Sequence, residues 1–180
     1  ASASGGIWRT SDAGATWVAA SDGSANLNHG VVALDNAFPD AVYAGTGEYP
    51  TGSNGAGLLR SLDGGATWTV LATNGTLGPT CSGLVLVPGK SAAQPAAIHW
   101  TGDGGYKRST NGGATWTTPI SGSCSSLAVD PANPLRLFVA VRGGGIRRSL
   151  DGGATFATLA GGLPATGFDR IVMAQCRGTP

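Results

Sequence analysis

One glutamate occurs in this 180-residue chain, Glu48, and Tyr49 follows it directly. Both lie in a glycine-rich stretch, residues 45–57, with Thr51, Ser53 and Asn54 beside them. A second carboxylate, Asp103, sits in another glycine loop, Thr101-Gly102-Asp103-Gly104-Gly105. Two carboxylates on neighbouring loops can act as general acid and base on a glycosidic bond, given ~5–10 Å between them and one raised pKa. The plainer reading makes both solvated loop carboxylates, or has Glu48 cap its own turn. Catalytic assignment therefore stops at these two candidates.

Other reactive side chains are scattered. His29 lies near Asn26 and Asn28, and His99 precedes Trp100. A histidine can ligate a metal or act as a base, but these two are far apart and lack an acidic cluster, so no metal site and no cofactor is expected. An exposed Trp100 near Tyr49 would form a sugar-stacking platform; the alternative is core packing. Trp8 has no assigned role. Phosphate-loop and Gly-x-Ser-x-Gly patterns are absent, since Gly122-Ser123-Cys124 runs into Ser125. Of the three cysteines, Cys81 and Cys124 stand at equivalent places in TCSGLVLV and SCSSLAVD, where a disulfide or two buried thiols are both compatible with the spacing.

The elements that must carry these residues are set by a repeat. SLDGGATW at residues 61–68 recurs as TSDAGATW at 10–17, STNGGATW at 109–116 and SLDGGATF at 149–156. All fit S/T-x-D/N-x-G-x-T-aromatic after an arginine (Arg9, Arg60, Arg108, Arg148). The motif residues are Asp12, Gly14, Thr16 and Trp17; Asp63, Gly65, Thr67 and Trp68; Asn111, Gly113, Thr115 and Trp116; and Asp151, Gly153, Thr155 and Phe156. Successive acidic or amide positions are 51, 48 and 40 residues apart, a spacing of solenoids and propellers. The side chain at that position can accept turn N–H groups while glycine supplies φ > 0, so the motif makes a hairpin.

Between motifs, strand signals pair 31–34 with 41–44, 84–87 with 97–100, and 127–129 with 137–141, with turns through 36–40 and 130–134. Each repeat thus holds four strands, A to D, and four-stranded units around an axis are propeller blades. The expected fold is all-β: a propeller with about four blades, more readily part of a larger one than a closed ring. It divides into a partial blade at 1–20, blades at 29–72, 82–120 and 124–160, and a leading strand at 168–176. Pairing with a second chain to complete the ring is the other arrangement considered.

With 12% charged residues and a net charge of +1, nothing in the chain favours nucleic acid. No apolar run is long enough for a transmembrane helix.

The four motifs resemble Asp-box repeats, also called bacterial neuraminidase repeats, over nearly the whole chain. Residues 40–68, DAVYAGTGEYPTGSNGAGLLRSLDGGATW, are especially similar to secreted bacterial Asp-box propellers. Sialidases, xyloglucan hydrolases, sortilin-type receptors and a photosystem assembly factor share such propellers, and in them the motif is structural. The resemblance implies a secreted, periplasmic or cell-surface protein. The sialidase Arg-Ile-Pro segment is missing: Arg170-Ile171 continues to Val172.

Residues in every blade build the blade, whereas polar residues confined to one blade are free to meet a ligand. Strand parity places B–C and D–A loops on one face, opposite the motif hairpins. The expected ligand-binding residues there are Glu48, Tyr49, Asn54, Trp100, Asp103, Arg142 and His29. The expected function is a non-catalytic propeller binding a polysaccharide or protein partner. A glycoside hydrolase, sialidase- or xyloglucanase-like, or an assembly factor for a membrane complex, are the rivals.

Overall fold

Each motif folds into the same side-chain-bonded hairpin in the computed structural model. The structure describes residues 5–24, 26–49, 53–159, 161–162, 167 and 169–174. Asp63 Oδ1 accepts from the Thr67 N–H at 2.9 Å and from the Ser61 hydroxyl at 2.6 Å, while the Thr67 hydroxyl donates to Oδ2 at 2.6 Å. Ser61 Oγ in turn accepts the Gly65 N–H at 2.8 Å. Asp12 and Asp151 repeat this pattern. Asn111 keeps it with one reversal: its Nδ2 donates to Thr115 Oγ1 at 2.8 Å.

These hairpins link the last two strands of each unit. A two-stranded sheet joins β1 (Trp8–Arg9) to β2 (Val18–Ala19). The first four-stranded sheet runs β3 (His29–Asp35), β4 (Phe38–Thr46), β5 (Gly57–Ser61) and β6 (Thr69–Thr73). After a helical turn, α1 (Asn74–Leu77), the second runs β7 (Gly83–Val87), β8 (Ala97–Gly102), β9 (Gly105–Ser109) and β10 (Thr117–Ile120). The third runs β11 (Cys124–Val129), β12 (Leu137–Val141), β13 (Gly145–Ser149) and β14 (Ala157–Thr158). Every ladder is antiparallel in sequence order, the meander of propeller blades.

Blades are stitched to one another by the motif itself. The Trp68 indole donates to Ala20 O of the preceding unit at 2.6 Å, and Phe156 meets Tyr106 edge-on with centroids 4.9 Å apart. The second motif glycine lies at this seam. A Cβ on Gly113 would come 2.8 Å from Leu71, and one on Gly153 would come 1.8 Å from the Tyr106 hydroxyl. The motif arginines stay distributed around the blades, as their repetition requires: Arg9 donates to Gly64 O and Arg60 to Ala93 O.

Two expectations are corrected, the turn at 36–40 and the leading strand at 168–176. The turn placed at 36–40 is confined to Asn36 and Ala37, because the Asp35 carboxylate takes the Ala37 N–H at 2.9 Å and lets Phe38 pair with Asp35. The helical turn α1 was not anticipated; Leu77 anchors it in the core, and Asn74 Nδ2 donates to Gly55 O at 2.9 Å. Of the two arrangements left open for Cys81 and Cys124, the structure has the two buried free thiols. They occupy separate packed layers, Cys81 with Leu58 and Trp100, Cys124 with Tyr106 and Val139. Residues 169–174 form no strand; Ile171 and Met173 are held instead by the hydroxyls of Ser125 and Ser126. The remainder of the predicted leading strand lies outside the described residues.

Candidate functional site

Loops that are distant in sequence meet on the face opposite the motif hairpins. Gly47 N donates to Asn28 O at 2.7 Å, and Arg142 N donates to Ser123 O at 2.9 Å, so B–C and D–A loops are bonded together. On the other face Gly64 N donates to Asp40 O and Gly152 N to Leu135 O, tying motif hairpins to A–B turns.

Asp103 is the hub of the first face. Its Oδ2 accepts the Thr80 hydroxyl at 2.8 Å and its Oδ1 accepts the Ser123 hydroxyl at 2.8 Å. The Asp103 N–H closes the ring by donating to Thr80 Oγ1 at 3.1 Å. The single Ser123 proton goes to the carboxylate, so the Tyr49 hydroxyl, 3.3 Å away, donates to Ser123 Oγ. Gly78 and Gly104 let the two loops touch: a Cβ on Gly78 would come 2.7 Å from the Gly104 backbone.

Arg142, one blade further on, donates through Nε to Asp169 Oδ1 at 2.6 Å. That hydrogen bond and charge raise its pKa, and the Asp103 carboxylate acts in the same direction. Tyr49, Asp103 and Arg142, from three successive B–C loops, therefore share one electrostatic neighbourhood. Glu48 sits at the edge, its N–H donating to Ser53 O at 3.0 Å and its main chain bridging to Cys81. Asn54 is exposed, and its carbonyl accepts from Asn26 Nδ2 at 3.1 Å. Thr51 lies outside the described residues.

Two predicted ligand residues are corrected. Trp100 is fully buried and packs in the core, so it offers no exposed platform. His29 is 3% exposed, and burial lowers its pKa; it does not face solvent. His99 is also buried, with Nδ1 2.7 Å from the Tyr106 hydroxyl, and burial depresses its pKa to about 4. Among the described residues no group of three His, Cys, Asp or Glu is placed to hold a metal ion.

Thr80, Ser123 and Asp169 were not singled out from the sequence. Thr80 and Ser123 precede Cys81 and Cys124 at matching repeat positions. A filter that assigns repeated residues to the scaffold discards them, although their equivalence is what lets successive D–A loops grip one carboxylate from both sides.

No protein-family model matches the sequence, and no curated protein matches it. Solved structures do. An ancestral GH74 enzyme superposes with a TM-score of 0.69 at 19% identity, covering 89% of this chain and 22% of its own. The GH74 xyloglucanase from Xanthomonas campestris gives 0.66 at 22% identity, covering 91% and 28%. A GH74 enzyme from Niastella koreensis gives 0.64 at 20%, covering 84% and 26%. The chain thus spans about a quarter of the length of these enzymes. No helix among the described residues is long and apolar enough to cross a membrane. At these identities the likeness establishes architecture: the chain has a β-propeller fold.

Proposed function

We propose that this chain is a non-catalytic polysaccharide-binding propeller unit that acts outside the cytoplasm and uses the face built by Tyr49, Asp103, Ser123 and Arg142. One observation carries the reading. Both oxygens of Asp103 are already engaged by the fixed hydroxyls of Thr80 and Ser123. Two hydroxyl donors fix the plane of the carboxylate and each oxygen keeps a second lone pair, so beside further hydroxyls and a guanidinium it forms a rigid array of acceptors and donors for sugar hydroxyls. The half-buried Tyr49 ring adds an apolar surface with a polar tip. The choice of polysaccharide over protein follows the fold shared with xyloglucanases.

Electrophoresis through gels containing xyloglucan or another polysaccharide tests this. The chain should be retarded, and Tyr49→Ala with Asp103→Ala should restore mobility without loss of fold. Unretarded migration in every polysaccharide, with capture of a protein partner by the same face, would replace the glycan by a protein.

The likeness to GH74 enzymes favours a second reading, that these blades are part of a glycoside hydrolase. Glu48→Gln should then remove turnover, and unchanged turnover ends that reading.

A further inference from the structure

The second four-stranded sheet departs from the other two where its motif hairpin faces its A–B connection. In the first and third sheets that contact is a hydrogen bond, Gly64 N donating to Asp40 O at 2.9 Å and Gly152 N to Leu135 O at 2.8 Å. The counterpart in the second sheet, Gly112, is buried, yet its N–H has no partner among the described residues. A cavity of about 310 Å³ opens there, lined by Lys90 and Gln94 of the A–B connection and by Thr110, Asn111 and Gly112 of the hairpin. Orphaned buried N–H groups are rare, so this one marks a place for an acceptor. The second sheet packs between the other two, and complete neighbours on both sides set the cavity.

Charge around the cavity is of one sign. Three motifs carry an aspartate, Asp12, Asp63 and Asp151, and the hairpin that lines this cavity carries Asn111 instead. The amide does the structural work of the carboxylate: its Oδ1 accepts the Thr115 N–H and the Ser109 hydroxyl, both at 3.0 Å. Its Nδ2 spends one N–H on Thr115 Oγ1 and keeps the other. The exchange therefore preserves the turn and removes its negative charge. Across from it Lys90, one of two lysines in the chain, is exposed and makes no ion pair among the described residues. Behind the wall, Arg60 of the preceding blade donates to Ala93 O at 3.2 Å, the carbonyl that a Cβ on Gly112 would meet at 2.9 Å. No carboxylate lines the cavity.

The geometry points to a binding site for a tetrahedral oxyanion, sulfate or phosphate, held by the Lys90 ammonium, the Gly112 N–H, Asn111 Nδ2 and the Thr110 hydroxyl. Such an anion takes several N–H and O–H donors at once, and charge-assisted bonds of this kind are the strong ones. A divalent cation would find no carboxylate here and would meet Lys90 instead. A water or a neutral sugar would satisfy Gly112 but would gain nothing from an amide in place of the carboxylate. The site lies on the opposite side of the blades from Asp103 and does not rest on the reading given to that face.

The backbone amides of Gly64, Gly112 and Gly152 report on the site in a ¹H–¹⁵N spectrum. Titration with inorganic sulfate, inorganic phosphate or glucose 6-sulfate, at ionic strength held constant with sodium chloride, should move the Gly112 signal in a saturable way. Gly64 and Gly152, whose N–H groups are already paired, should stay still. Lys90→Gln should weaken the response roughly fivefold, the worth of one solvent-screened charge contact. Asn111→Asp restores the residue of the other three motifs, so the hairpin should fold as they do while binding weakens by at least as much. A response to the inorganic ions supports the site with a free anion as occupant; a response to glucose 6-sulfate alone supports it with an ester group of a larger ligand. A static Gly112 signal in all three titrations overturns the proposal. So does equal movement of Gly64 and Gly152, or a response that Asn111→Asp leaves unchanged.

Discussion

The Ser123 hydroxyl grips Asp103 Oδ1 at 2.8 Å, and Thr80, its counterpart one repeat earlier, grips Oδ2 at the same distance. One carboxylate therefore ties together two successive D–A loops. Thr80 is fully buried, so removing its acceptor strands a hydroxyl. A double-mutant cycle with Thr80→Val and Asp103→Ala should give a coupling of about 1 kcal/mol in denaturant unfolding. Additivity of the two substitutions would mean the clamp contributes nothing to rigidity.

The seam between blades is tested by two glycines of nearly equal positive φ. Gly153 has φ +86° and faces the Tyr106 hydroxyl, whereas Gly122 has φ +87° with nothing within 4 Å of a built Cβ. Gly122→Ala should cost about 1 kcal/mol, the strain of a left-handed residue alone. Gly153→Ala adds a collision with the neighbouring blade and should cost roughly 2–4 kcal/mol. Equal losses in thermal unfolding would refute the close approach.

Buried His99 makes stability depend on pH. Its folded-state pKa of about 4 lies below the usual 6.5, because burial disfavours the imidazolium. Above pH 6.5 neither state is protonated. Between 6.5 and 4 the unfolded chain binds the proton first, so stability falls as pH falls, by about 1.4 kcal/mol per unit and on the order of 3 kcal/mol in all. His29, lowered by burial too, acts in the same direction. The motif carboxylates Asp12, Asp63 and Asp151, held down by their hydroxyl and N–H donors, lose their contribution only in more acid solution. His99→Gln should flatten the Tm profile between pH 6.5 and 4.5; an unchanged slope would contradict this account.

Cys81 and Cys124 should resist alkylation in the native chain. Burial pushes the Cys81 thiol far up and the Cys124 thiol to about 12, leaving almost no thiolate at pH 8. Mass spectrometry after iodoacetamide should find both unmodified until denaturant is added. Labelling without denaturant would show that the layers between blades open.

The motif hairpin could be read from sequence because all its bonds are local. Ser61, Asp63, Gly65 and Thr67 lie within a few residues of one another, and their donors and acceptors close on themselves. The period of the motif then required repeated antiparallel units, and residues special to single B–C loops, Tyr49, Asp103 and Arg142, could be picked out by not repeating. Which of them meet is a different matter. The Tyr49–Ser123 contact spans 74 residues, and the sequence holds no local record of how neighbouring blades align. Trp100 and Trp68 make the same point. Trp100 was read as a stacking platform and is buried, whereas Trp68, read as scaffold, packs against Ala20 of the preceding unit. Side-chain type and repeat phase are properties of the chain, but burial depends on what the next blade places opposite, and only the tertiary packing decides that.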